Sequence, residues 1–101
     1  MSQKYLIEVW KRSSTSPVSF RGVVKSNIKT LCDARAFAKK EISRVGDNIT
    51  LRICAVGANG RRQMIGDVTK GLFGVCWAPF GDTKYRRYHL NNDGSLGDGF
   101  N

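Results

Sequence analysis

The amino-acid sequence predicts an α+β domain in which one helix packs on one face of an antiparallel sheet of four to six strands. Three observations predict this class. Segments of alternating apolar and polar residues predict strands, one segment with helical periodicity lies between them, and polar or glycine-rich stretches separate the elements. The order is β-β-α-β-β followed by a C-terminal hairpin, and 101 residues are enough for one domain.

Two strands open the chain. Residues 4–11 and 18–25 alternate between apolar and polar side chains, and the polar loop between them ends at Pro17. This pattern predicts an antiparallel pair. The apolar side chains of the second strand are expected to face the core; these are Val18, Phe20 and Val24.

The clearest element is a helix from about Leu31 to Val45. Thr30 is a suitable N-cap, and Asp33 three residues later is a weaker variant of the capping-box acid. Gly46 is expected to cap the C-terminus. Apolar residues recur three or four positions apart and form one stripe along the helix: Leu31, Ala34, Ala38, Ile42 and Val45.

Two hairpins are expected after the helix. Residues 48–56 alternate regularly, and Asn59-Gly60 predicts a tight turn before a partner strand over 62–68. Residues 72–78 and 84–90 predict the second hairpin, which is rich in aromatic residues.

The remaining segment and the second sheet face complete the expected architecture. Residues 95–101 are expected to form a Gly-rich tail after a single domain of residues 1–94. The sheet face opposite the helix is expected to be partly solvated or used for binding. Its candidate side chains are Trp10, Arg21, Val23, Lys25, Arg52 and Cys54.

Charge is the strongest deviation in the composition. The chain holds 17 basic and 8 acidic residues, a net charge of +9, and residues 71–101 are neutral, so the folded body carries the excess. A positive surface attracts nucleic-acid phosphates or an acidic protein face, although solubility alone also favours a net charge. No apolar stretch is long enough for a membrane span or typical of a signal peptide, so we expect a cytoplasmic protein with no membrane interaction.

Catalytic and metal-binding patterns are weak. The three cysteines are odd in number and no two form a C-x-x-C pair, so free thiols and no metal or other cofactor are expected. Paired carboxylates are scarce and phosphate-binding glycine loops are missing, which favours a non-enzymatic protein. One enzymatic alternative stays open, since Cys76 and His89 could meet across the last hairpin.

The favoured function is nucleic-acid binding through the phosphate backbone, because basic residues are interleaved with aromatic residues on several strands. No helix-turn-helix, zinc-finger or RNA-binding sheet motif is present. Each of these aromatic residues could instead pack the sheet. The candidate binding residues are Trp10, Lys11, Arg12, Arg21, Lys25, Arg52, Arg61, Arg62, Tyr85, Arg86, Arg87 and Tyr88.

The alternative is a protein-binding regulator or inhibitor that docks on an acidic face of a larger enzyme, including one that handles nucleic acid. Aromatic residues and arginine dominate protein interfaces, and the hairpin over 72–90 could supply them. Its anchors would be Leu72, Phe73, Trp77 and Phe80.

Overall fold

The structure is a computed structural model that describes residues 4–13, 18–45, 48–81 and 84–101. In these residues one helix and seven strands form an α+β domain. In chain order the elements are β1 (Lys4–Lys11), β2 (Ser19–Ile28), α1 (Leu31–Arg44), β3 (Ile49–Val56), β4 (Arg62–Gly71), β5 (Gly74–Pro79), β6 (Arg87–Leu90) and β7 (Leu96–Phe100).

All seven strands belong to one antiparallel sheet with the order β2-β1-β3-β4-β5-β6-β7. The helix α1 takes the chain from β2 past β1 to β3, and every later strand pairs with the strand before it. The predicted class is therefore confirmed, but the sheet has seven strands rather than four to six.

The additional strand comes from the predicted C-terminal tail. Gly94, with a φ of 88°, and the carboxylate of Asp93, which accepts hydrogen bonds from Ser95, reverse the chain into β7. A side chain at position 94 would collide with the carbonyl oxygen of Cys32, so glycine also lets this turn contact the helix. The expectation of a separate tail is wrong, because Leu96–Phe100 pairs with β6.

The helix forms as the sequence predicts. The Oγ1 atom of Thr30 accepts a 3.0 Å hydrogen bond from the backbone nitrogen of Asp33, which confirms the N-cap. The predicted stripe faces the sheet, since Ala34, Ala38 and Ile42 are buried. The predicted cap at Gly46 lies outside the described residues.

The main core lies between α1 and the sheet. Trp77 is buried there, and its ring lies against Gly66, where any side chain would collide with it. The guanidinium of Arg35 lies 5.3 Å from the same ring. The other core side chains are Ile7, Ile28, Ala34, Ala38, Ile42, Leu51, Ile53, Val68 and Leu90.

The edge strand β2 differs from its prediction. Val18, Phe20 and Val24 are exposed instead of facing the core. The pairing of β2 with β1 contains three register shifts, so strict alternation does not continue along it. Ile28 is the buried side chain of this strand, at the end where it enters the helix.

Within the described residues, no helix is both long and apolar enough to cross a membrane. With 14 residues, α1 is a surface helix with one buried side.

We predict that Ala38→Asp destabilises the protein by at least about 2 kcal/mol, because it places a carboxylate without a partner between helix and sheet. For a domain of this size the melting temperature should fall by roughly 8 °C or more. Circular dichroism melting measures the change, and Lys40→Asp, on the exposed side of the helix, is the matched control. Equal melting temperatures for the two variants would contradict this packing.

Candidate functional site

The helix-free side of the sheet carries an unusual set of side chains, and we call it the open face. Strand register and alternation assign its members. From β2 to β7 they include Phe20, Val23, Leu6, Glu8, Trp10, Thr50, Arg52, Cys54, Arg62, Met64, Asp67, Thr69, Cys76, Ala78, Arg87, His89 and Phe100.

An arginine between two aromatic rings stands at the centre of the open face. The guanidinium of Arg52 lies 4.8 Å from the ring centre of Trp10 and 5.3 Å from that of Phe80. The carboxylate of Asp67 holds it in place, with hydrogen bonds of 3.0 Å from Nε and 3.4 Å from Nη2. The hydrogen bond to Asp67 also raises the pKa of Arg52. Phe20 extends this group, since its ring meets that of Trp10 edge-on at 5.5 Å.

A buried carboxylate supports the other side of Trp10. Glu8 is only 8% exposed, and it accepts hydrogen bonds from the indole Nε1 of Trp10 at 3.0 Å and from Nη1 of Arg62 at 2.8 Å. Burial raises the pKa of Glu8, but these two hydrogen bonds and the charge of Arg62 outweigh it, so the net shift is downward. Glu8 therefore stays ionised at neutral pH and fixes the orientation of the indole.

The outer surface of this group is apolar and accessible. Phe20 and Phe80 are 48% and 44% exposed, and Val23 and Met64 are exposed beside them. A second aromatic group lies at the far end of the open face, where the ring of Phe100 is 5.5 Å from that of Phe73 and 4.8 Å from the imidazole of His89.

The thiols of the open face are poor nucleophiles. Burial, together with the charge of Glu8 and a hydrogen bond to it, raises the pKa of Cys54 to about 11. Burial also raises the pKa of Cys76, although the charge of Arg87 lowers it in part. Cys76 and His89 are paired across β5 and β6, as the sequence allows, but the Cys76 thiol donates to the carbonyl of Gly74. Since the thiolate is the reactive form, the raised pKa lowers the reactivity of Cys76 at neutral pH.

Among the described residues, no group of three His, Cys, Asp or Glu side chains could hold a metal ion. All three cysteines are free thiols in the structure.

Four of the twelve residues predicted from sequence meet on the open face: Trp10, Arg52, Arg62 and Arg87. Two of the expected open-face side chains lie elsewhere or are covered. Lys25 pairs with Ile7 on the helix side and lies 5.8 Å from the ring of Phe37, and Cys54 is buried.

The two tyrosines of the predicted site lie on the helix side. Tyr88 packs against the core, and the ring of Tyr85 covers Gly99 and meets Tyr88 edge-on at 5.8 Å. The other predicted cations are exposed at strand ends, turns or the sheet edge; they are Lys11, Arg12, Arg21, Arg61 and Arg86.

Sequence reasoning missed the acidic partners and Phe20. Glu8 and Asp67 stand alone in the sequence, and only the register Glu8↔Arg52↔Asp67 brings them together. The register Trp10↔Phe20 is likewise what places the ring of Phe20 on the open face. Strict alternation relative to Trp10 could have found Glu8 but not its partners across the sheet.

Comparisons with protein-family models, curated proteins and solved structures found no match to this chain.

We predict that stability falls as the solution is acidified below pH 4.5, the ordinary pKa of a glutamate. Because the folded-state pKa of Glu8 is lowered, its contribution is complete above the unfolded pKa and is lost as pH falls through the folded pKa. At pH 7, Glu8→Gln should cost about 2 kcal/mol, since Arg62 loses its buried partner. Denaturant unfolding at several pH values measures this, with Glu41→Gln as control. If the stability cost of Glu8→Gln were as large in acid as at pH 7, this would contradict an ionised Glu8 that stabilises the fold.

Thiol reactivity provides a further check on burial. In the native protein at pH 8, Cys32 should react with a thiol reagent well before Cys54 and Cys76, which are buried. Unfolded protein should give three thiols. Cys32→Ser should remove the fast phase alone; a fast phase that persists in this variant would show that a cysteine of the open face is accessible.

Proposed function

We propose that this protein is a non-enzymatic module that binds single-stranded nucleic acid on the open face. The observation that carries the proposal is the Trp10–Arg52–Phe80 stack, extended by Phe20, on a sheet face that no helix of the described residues covers. Unpaired bases stack on exposed aromatic rings and on arginine planes, at about 1–3 kcal/mol per base. Duplex DNA offers no such free base faces, so the stack favours single strands.

The geometry of the stack supports binding without a large rearrangement. Asp67 fixes the guanidinium of Arg52, and Glu8 fixes the indole of Trp10, so these planes are oriented before a ligand arrives. Ordering side chains on binding costs about 0.5–1.5 kcal/mol each, and a prebuilt surface avoids that cost. The ring of Phe80 and that of Phe20 remain accessible at the two ends of the stack.

Phosphate contacts would come from cations at the border of the stack. Arg52 and Arg62 are neutralised by carboxylates, so they contribute orientation more than net charge. Arg12 and Arg87 line a cleft beside the stack, and Lys70 lines the same cleft from the end of β4. These are the cations best placed for a backbone. Lys11 would supply a fourth phosphate contact. Each contact to a single strand contributes about −0.7 to the slope of log affinity against log salt concentration, so four contacts predict a slope of roughly −3.

We predict that Phe20→Ala and Phe80→Ala each weaken binding of a fluorescent oligothymidine by about tenfold, within the range measured for one stacked base. Both side chains are half exposed, so the melting temperature should hardly change. Fluorescence anisotropy at several salt concentrations gives affinity and slope, and Lys40→Gln, on the outer side of α1, is the control for a lost charge. Affinities weaker than about 100 μM for every oligonucleotide at physiological salt would refute the proposal.

A second candidate function is docking on an acidic protein. Leu72 is fully exposed and Phe73 is 69% exposed at the turn between β4 and β5, and such a projecting apolar pair is typical of an interface anchor. Pull-down from a nuclease-treated lysate separates the two functions. A protein that is captured by the native chain but lost with Leu72→Ala and Phe73→Ala would favour docking, whereas loss of all capture after nuclease would favour nucleic acid.

A further inference from the structure

A basic cleft lies beside the stack, at the end of the sheet where β3 begins and β4 ends. It has a volume of about 250 Å³, and its lining includes Arg12, Thr50, Thr69, Lys70 and Arg87. Arg12 follows β1, Thr50 lies at the start of β3, and Thr69 and Lys70 lie near the end of β4, so the antiparallel order places these four at one end of the sheet. Arg87 of β6, which lies level with Ala78, completes the lining.

Strand register explains how the hydroxyl-bearing residues Thr50 and Thr69 become neighbours. The pairing Leu51↔Val68, continued by one residue, places Thr50 opposite Thr69 on the open face. Thr50 is also paired with Trp10. The cleft therefore begins one strand away from the aromatic stack. A backbone hydrogen bond of 2.8 Å, from the nitrogen of Arg12 to the oxygen of Asn48, holds the chain beside it.

The charge of the cleft has no counterpart in the described part of the chain. None of its lining side chains is acidic. The ion pairs found among the described residues use Arg52 and Arg62, and the three cations of the cleft belong to neither. Three like charges around a small cleft repel one another and create a local positive potential that an anion would relieve.

We propose that this cleft binds a phosphate group with two negative charges, as carried by the end of a phosphorylated strand; this terminal role rests on the proposed function. A phosphodiester has one negative charge, whereas a phosphomonoester has about −1.5 to −2 at pH 7 and three acceptor oxygens. Three cations and two hydroxyl donors match the dianion better. Thr50 of the cleft and Trp10 of the stack lie on neighbouring strands. A terminal base can therefore stack on the aromatic group while its phosphate occupies the cleft.

The first experiment uses inorganic phosphate and the full chain. Addition of phosphate at constant ionic strength should give saturable shifts of the Thr50 and Thr69 amide resonances. The double variant Thr50→Val/Thr69→Val keeps every charge and should weaken this binding by about tenfold, as expected for lost hydrogen bonds to a charged group. Arg87→Gln should weaken it similarly, whereas Lys40→Gln removes a charge from the opposite side and should not.

If Arg87→Gln does not fold, Arg12→Gln takes its place, because Arg12 lies at the exposed rim of the cleft. If Lys40→Gln weakened phosphate binding as much as the cleft variants do, the loss would follow net charge alone. That result would overturn the site. Shifts that never saturate would show an adventitious ion only and would also overturn it.

The second experiment compares oligonucleotides of one sequence with and without a terminal phosphate. The phosphorylated strand should bind about tenfold tighter at pH 7, and the gain should shrink near pH 5, below the second phosphate pKa of about 6. Phosphate binding without oligonucleotide binding supports the cleft and refutes the proposed function. If oligonucleotides bind with the same affinity with and without a phosphate at either end, the terminal role is refuted, whether or not inorganic phosphate shifts the resonances. The proposed function would remain in place.

Discussion

Among the described residues, one helix packs on a seven-stranded sheet and is too small to cover it. The rest of the structure depends on this difference in size. Seven strands span roughly 29 Å across the sheet, whereas a 14-residue helix is about 21 Å long and about 10 Å wide. The helix α1 covers β1 to β4 on one side. On that side Tyr85 and Tyr88 continue the cover over β6 and β7. The other side receives no covering element among the described residues.

The open face is therefore organised by side chains alone. Glu8 accepts hydrogen bonds from Arg62 and from the indole of Trp10, and Asp67 holds the guanidinium of Arg52 against that indole. Ion pairs on a protein surface usually contribute little to stability, but partly buried pairs with several hydrogen bonds restrict orientation. The result is an ordered polar and aromatic surface, bordered by the cleft that Arg12, Lys70 and Arg87 line.

The sequence predicts the strands and the helix wherever the hydrophobic pattern is regular, as in β1 and α1. It fails for β2 because alternation does not say which face is covered, and the register shifts against β1 turn Phe20 outward. It fails for β7 because glycines suggested a tail, whereas Gly99 is required where the Tyr85 ring crosses the strand. Trp10 and Arg52 were found by alternation, but their link to Asp67 depends on a bulge between β3 and β4 that no local pattern reveals.

The chain contains two tryptophans, and they provide an internal comparison for the central claim that the open face is the binding surface. Trp10 lies on the open face, and Trp77 is buried under the helix. In a ¹H–¹⁵N spectrum their indole resonances are separate probes of the two sides of one sheet. Titration with oligothymidine should shift or broaden the Trp10 indole resonance and leave that of Trp77 in place. A shift of Trp77 without a change at Trp10 would contradict the account.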